Sequence, residues 1–253
     1  MIFALLILFI LPALAHVAVW QLQDRPGSWR QANWSSAGIL PAVMPAADAE
    51  IMVLSARTGG LKGALSIHSW LVLKVPGEIR YRRYEVVGWG PALRRDAYAP
   101  DGRWYSNEPT IRHKVTGEKA QAALPKLLAA IEGYQYGGRG DYVIWPGPNS
   151  NSFVATALRS VPELGFSTPT LGVGRDFAPG PMVRLDDNGI RASLWGYAGL
   201  AAGRDIGLEL NFLGLVTGIN PSKGTFALPG FGEIRLWQPA SRIEDETTST
   251  PSV

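Results

Sequence analysis

The chain has 253 residues, 46% hydrophobic and 18% charged, with a formal net charge of +3; that is enough apolar material for a sizeable core, which argues against intrinsic disorder. The basic residues are scattered rather than gathered into a block that could track a phosphate backbone, so no nucleic-acid partner is expected. Cysteine is absent and only three histidines occur, His16, His68 and His113, which excludes disulfides, thiolate ligands and cysteine catalysis; neither a metal nor any other cofactor is expected.

Residues 1–20 read MIFALLILFILPALAHVAVW, with no ionisable side chain except His16. About twenty apolar residues at ~1.5 Å rise each cross a bilayer core, so membrane lipid is the expected partner of this segment, with Pro12 tolerated and Trp20 suited to the interface. A cleaved signal peptide is the competing reading, because Leu5–Leu11 is an apolar core and Ala13-Leu14-Ala15 resembles a cleavage site; the lack of Lys or Arg before the core favours a retained anchor. Arg25 and Arg30 just beyond the span favour a cytoplasmic placement of the domain after it.

Residues 21–50 read as a linker wrapping over a surface. A single α+β domain is expected over 51–240, with its core at 51–165 and a β-rich extension at 166–240, ahead of a disordered polar tail at 241–253. Ala49–Ala56 is a short buried strand. Leu65–Val75 and Glu78–Trp89 form a hairpin about Pro76-Gly77. With those two as the central turn residues, Val75 faces Glu78 and His68 faces Glu85, their Cβ atoms ~4.5–5.5 Å apart. A slip of one residue would put the two on opposite faces. Arg80, Arg82, Arg83, Arg94 and Arg95 read as solvated edges. Gly90–Asn107 is a loop and Thr110–Val115 a strand. Thr116 opens a helix reaching Tyr134, with an apolar stripe at Ala120, Ala123, Leu124, Leu127, Leu128 and Ile131 and a kink at Pro125. Asn149–Ser160 is a second helix. Strands are then expected at Met182–Leu185, Ile190–Tyr197, Ile206–Thr217 and Gly232–Trp237, with Asp187-Asn188-Gly189 as a hairpin turn.

Two places combine residue types that can do chemistry. One is Ile67-His68-Ser69-Trp70. The other is Trp145-Pro146-Gly147-Pro148-Asn149-Ser150-Asn151-Ser152-Phe153-Val154, at a helix start. A hydroxyl at Ser150 would sit where free backbone N–H groups and the helix dipole favour negative charge, a setting for a nucleophile and an oxyanion. Asn149, Ser150, Asn151 and Ser152 are equally good cap residues, so simple capping is the alternative. His68 on its own reads as a packed core histidine. With Glu85 holding one ring nitrogen protonated, its other nitrogen becomes a base, and His68, Glu85 and Ser150 have the chemistry of nucleophilic acyl transfer.

These segments resemble the circularly permuted branch of the NlpC-type papain-fold hydrolases and the lecithin:retinol acyltransferase group, over Leu65 to Ser160. Asn149-Ser150-Asn151-Ser152-Phe153-Val154 is similar to that group's nucleophile segment, with Ser150 at the cysteine position. His68-Ser69-Trp70 resembles its histidine strand, and Glu85 stands where the third polar group is found. The blocks SARTGGLKGALSIHSW, YEVVGW and WPGPNSNSFV resemble, from about Leu54 onward, an uncharacterised bacterial family, domain of unknown function 3750. The resemblance implies an α+β, circularly permuted papain-like core with an antiparallel sheet, and an exported domain at a bacterial inner membrane facing the periplasm, against the charge rule above. It implies Ser150 as nucleophile, His68 as base and Glu85 as orienting acid. Asn149, Asn151, Ser152, Trp70 and Tyr142 would contact substrate, an amide or ester of peptidoglycan peptide or lipid. Serine in place of cysteine leaves two readings open. One is a working hydrolase or acyl transferase; the other is a non-catalytic envelope module that binds or assembles through a degenerate cleft.

Overall fold

The computed structural model describes residues 2–44, 48–186 and 189–237. Two hydrophobic strands, β1 (Glu50–Arg57) and β2 (Ile67–Lys74), pair antiparallel along their whole length. With β3 (Arg82–Val86), β4 (Leu93–Arg95) and β5 (Thr110–Thr116) they make a five-stranded sheet in the order β4-β3-β2-β1-β5. Both faces are covered, which is why β1 and β2 read as nearly continuous apolar runs. Ile51, Val53, Leu71, Leu73, Tyr84 and Val86 point to a core shared with the helices Gly117–Glu132 and Ser150–Leu158. Met52, Leu54, Ala56, Trp70, Val72 and Val87 point the other way, under Trp34, Leu40 and Val43 of the irregular segment before β1 and under Tyr98, Trp104 and Tyr105.

The helix Gly117–Glu132 forms on its apolar stripe, with Ala120, Ala123, Leu124, Leu127 and Ile131 buried. It runs on through Pro125, and Thr116 occupies the cap position without a side-chain cap bond. Three other expectations need correction. First, Glu78 N donates to Val75 O across Pro76-Gly77 (3.1 Å), with Gly77 at φ 81°, so the turn is real. The chain then leaves the ladder over residues 79–81, and pairing resumes as Leu73↔Arg82, Val72↔Arg83 and Leu71↔Tyr84. In that register Glu85 lies across from Trp70, not His68. The shift is two residues, so Glu85 keeps its face. Second, the 90–107 loop contains β4, whose Leu93, Arg94 and Arg95 pair with β3. Third, Arg83 is wholly buried rather than solvated.

Seven consecutive hairpin-linked strands form the second sheet: β6 (Pro181–Asp186), β7 (Gly189–Leu194), β8 (Ala198–Gly203), β9 (Gly207–Phe212), β10 (Leu215–Asn220), β11 (Thr225–Leu228) and β12 (Gly232–Arg235). The single strand expected at Ile206–Thr217 is two, β9 and β10. They are joined by Leu213-Gly214, both at positive φ as a two-residue I′ turn requires. The expected Asp187-Asn188 turn and the 241–253 tail lie outside the described residues. Cross-strand register sorts the side chains of this sheet sharply. One row runs Leu185–Ile190–Ala202–Leu208–Ile219–Phe226–Ile234 across all seven strands. The next row, on the opposite face, includes Arg184, Arg191, Glu209 and Glu233. The polar face turns inward: Arg175 is buried with ion-pair contacts to Glu209 and Asp176, and Ser193 Oγ donates to Asp176 O (2.6 Å).

Phe3–Gln21 is helical throughout, 19 residues long and apolar enough to cross a membrane, and includes a π-wound turn at Leu6–Ile10. Phe9, Ala13, His16 and Trp20 form one buried stripe. Phe9 packs on Phe212 (ring centroids 5.7 Å), His16 meets the Phe231 ring edge-on (4.8 Å), and Trp20 Nε1 donates to Gly60 O (3.0 Å).

Leu127→Ala, which empties the contact between the long helix and the first sheet, should cost about 2–5 kcal/mol. The urea midpoint should fall at unchanged slope, whereas Lys126→Ala, which removes only an exposed ion pair with Glu163, should stay close to wild type.

Candidate active site

The tip of the helix Ser150–Leu158 is held by a capping box. Asn149 Oδ1 accepts from the backbone N–H groups of Asn151 (2.9 Å) and Ser152 (3.1 Å), and Ser152 Oγ accepts from Asn149 N (3.2 Å). Asn149 Nδ2 donates to Ile144 O and Val173 O, both at 3.0 Å, and Ser152 Oγ donates to Gly174 O at 2.7 Å. Gly174 sits at φ 91°, and a Cβ there would lie 2.2 Å from Asn149 Nδ2, so the clamp requires glycine at that position. Asn151 reaches the other way. Its Nδ2 donates to Ile67 O (3.0 Å) and Val173 O (2.9 Å), and its Oδ1 accepts from Ser69 Oγ (2.8 Å). The helix tip is thereby bonded to the residues on either side of His68. Since Asn149 does the capping, the Ser150 hydroxyl is not consumed by it and has no hydrogen-bond partner among the described residues.

His68 lies on the sheet face opposite Ser69, stacked on Trp104 with ring centroids 3.7 Å apart and planes at 11°. Its Nε2 bonds Glu85 Oε2 at 2.7 Å, and Arg83 Nη2 donates to the same oxygen at 2.8 Å. All three side chains are buried. The Arg83 guanidinium stands 4.1 Å from the Trp70 ring centroid and donates from Nη1 to Ala99 O (2.9 Å). Burial lowers the His68 pKa, outweighing the upward pull of Glu85. Burial alone would raise Glu85, but the His68 hydrogen bond and the Arg83 charge hold its carboxyl below the usual range. The pair is therefore a neutral imidazole donating through Nε2 to a carboxylate, which leaves Nδ1 as the basic nitrogen.

His68 and Ser150 line one cleft of about 640 Å³, together with Asn149, Asn151, Trp89, Trp104, Tyr105 and Tyr142. No direct hydrogen bond joins Ser150 to His68. Burial pushes the Tyr142 phenol up to about 12. Asn149 and Asn151 line the cleft with their polar groups committed to the clamp, whereas Ser152, expected to contact substrate, does not line it and spends its hydroxyl on Asn149 N and Gly174 O. Trp70 is fully buried behind His68, its Nε1 donating to Pro100 O (2.8 Å), and does not line the cleft. Sequence reasoning missed Arg83 and Trp104. Arg83 was within reach of it, being two residues from Glu85 on the same face. Trp104 comes from an irregular loop with no periodic signal. Among the described residues no three histidine or carboxylate side chains converge as metal ligands.

Residues 48–177 match the profile of a family described as Protein of unknown function (DUF3750). The chain belongs to this family. The DUF3750 match takes in the five-stranded sheet, both packed helices and the Val173–Gly174 strap that closes the cap, and stops short of the seven-stranded sheet. No curated protein and no solved structure matches the chain.

The depressed pKa values set the acid stability of this DUF3750 chain. For His68 the stabilisation is complete above the unfolded value, ~6.5, and is lost as pH falls toward the lower folded value; for Glu85 it is complete above ~4.3 and is lost below that. The melting temperature should therefore decline in two stages on acidification. His68→Gln, which keeps a donor for Glu85, should flatten the upper stage without abolishing it, because burial also lowers His113.

Proposed function

We propose that this DUF3750 protein is a membrane-held hydrolase or acyl transferase with a papain-like catalytic arrangement, acting on an amide or ester of a peptidoglycan peptide or a lipid. The observation that carries the proposal is the shared cleft. It contains a hydroxyl at a helix N-terminus with no partner among the described residues, and a buried histidine whose Nε2 is bonded to a carboxylate. In this reading Ser150 Oγ attacks the substrate carbonyl while His68 Nδ1 takes its proton. Glu85 stabilises the imidazolium, and backbone N–H groups at the helix start receive the oxyanion. His68 then returns the proton to the leaving amine or alcohol, and water or an acceptor hydroxyl releases the acyl group from Ser150. The apolar helix Phe3–Gln21 supports placement at a membrane, and a periplasm-facing domain at a bacterial inner membrane is part of the proposal.

A second reading, a non-catalytic module that binds lipid, glycan or a membrane partner in the same cleft, draws on two observations. Ser150 and His68 make no direct bond, and Asn149, Asn151 and Ser152 spend their polar groups on the fold.

The two readings separate on treatment of the detergent-solubilised protein with a fluorophosphonate probe. The hydrolase reading expects labelling of wild type, none of Ser150→Ala, and a labelling rate about 10²–10⁴-fold lower in His68→Ala. Because burial lowers the His68 pKa, the rate should hold through the ordinary imidazole range near pH ~6.5 and drop only at more acidic pH, as the imidazole protonates. Wild-type protein that stays unlabelled while binding lipid or glycan would favour the binding module.

A further inference from the structure

The seven-stranded sheet is inside-out. In a soluble antiparallel sheet the apolar face is buried and the polar face is wet. Here the face carrying Arg191 and Glu209 packs inward, and the face carrying Leu185 and Leu208 looks out, with Val183 75% and Leu185 81% exposed. Such a broad apolar face marks an interaction surface. We infer that this face rests on the lipid bilayer, forming one membrane-contacting surface with the exposed side of the helix Phe3–Gln21.

Two observations select lipid over a protein partner, and a third sets the depth. The helix touches the sheet on its apolar side, through Phe9 on Phe212, and its large side chains Phe3, Ile7, Leu11 and Leu14 are exposed. The two apolar surfaces are thus continuous. Half-exposed aromatic residues, Trp145, Trp195 and Tyr197, gather at one end of the sheet, where Trp145 Nε1 donates to Leu213 O (2.8 Å) and its ring meets Tyr197 (4.9 Å). Indole and phenol rings of this kind favour the headgroup level. Finally, among the described residues β6 and β12 have no outer neighbour, and open edges are not tolerated within hydrocarbon. The sheet is therefore set at interfacial depth, with side chains dipping in and strand edges staying among headgroups. Leu213 and Leu215 also line the cleft, so the lipid-facing surface runs directly into the candidate site.

The inference rests on the membrane half of the proposed function and not on catalysis. The absence of cysteine permits a direct test in the full chain. Single variants Leu185→Cys, Leu208→Cys, Leu14→Cys and Lys119→Cys, each at an exposed position, would carry a polarity-sensitive fluorophore in phosphatidylcholine–phosphatidylglycerol vesicles. Labels at 185 and 208 should shift to the blue and be quenched by nitroxide-bearing phospholipid at least half as strongly as the label at 14, with the label at 119 unquenched. Water-like, unquenched labels at 185 and 208 beside a quenched label at 14 would overturn the inference alone. Disulfide cross-linking of Leu208→Cys to itself would then identify a second copy as the occupant. An unquenched label at 14 as well would overturn the membrane placement itself. The readout does not involve Ser150, so failure of the proposed chemistry leaves it untouched.

Discussion

A carboxylate with no access to water organises the candidate site. Glu85 is wholly buried, and an isolated charge there would neutralise or unfold its surroundings. It remains ionised because Nε2–H of His68 and Nη2–H of Arg83 meet at one oxygen, Oε2. Oε1 has no partner among the described residues, so both stabilising contacts act on one side of the group. The arginine in turn is held over Trp70, with Tyr98 and Trp104 nearby, and the imidazole is stacked on Trp104. The aromatic layer under the loops is thus the low-dielectric wall that strengthens the Arg83–Glu85 ion pair and the His68–Glu85 hydrogen bond, and the latter fixes Nδ1 as the histidine nitrogen left basic.

The second constraint is mechanical. Asn149 and Asn151 lie two residues apart at a helix start and both donate to Val173 O of the strap; Asn149 also closes the cap, and Asn151 also reaches β2. A tip held only by packing could slide along the strand. This one is tied to Ile67 and Ser69 by hydrogen bonds, so the helix N-terminus and the histidine strand move as one body. Preorganisation of this kind is what a helix-borne nucleophile needs. A binding cleft that must keep its shape gains from it equally.

Much of this was legible in the chain because period-two alternation survives an even error. The Pro76-Gly77 turn placed His68 and Glu85 on one face, and the two-residue slip at 79–81 converted a direct pair into a diagonal one without separating them. Ser150 was harder. Four consecutive cap-competent residues cannot be ranked by propensity, and only the strap at Val173–Gly174, more than twenty residues on, selects Asn149. The burial of Arg83 is not legible in the chain, because a short run of arginines looks like a wet edge and its aromatic box comes from elsewhere. The box comes from loop residues that carry no periodicity. β8 carries no strand signal, because Ala198–Gly203 is built mostly of small residues with little strand propensity and is held in the sheet by neighbours on both sides.

Alternation also conceals which way a sheet faces. The pattern of β6 to β10 is the ordinary apolar/polar one, and taken alone it implies that leucines point to a core. The body of the protein reverses the assignment, because Arg175 and Asp176, just before β6, offer charges that the Arg191 and Glu209 side can pair with. With the polar face satisfied internally, the apolar face is displaced outward. The family match ends at residue 177, at this junction. The clamp, His68, Glu85 and Ser150 therefore belong to the part shared with the family, whereas the cleft wall also draws on Trp29 before it and on Leu213 and Leu215 after it. The inverted sheet adds a greasy platform whose edge, at Leu213 and Leu215, is also the wall of the cleft. A substrate with an acyl chain would meet both surfaces without leaving apolar surroundings. That continuity favours lipid over peptide among the candidate substrates.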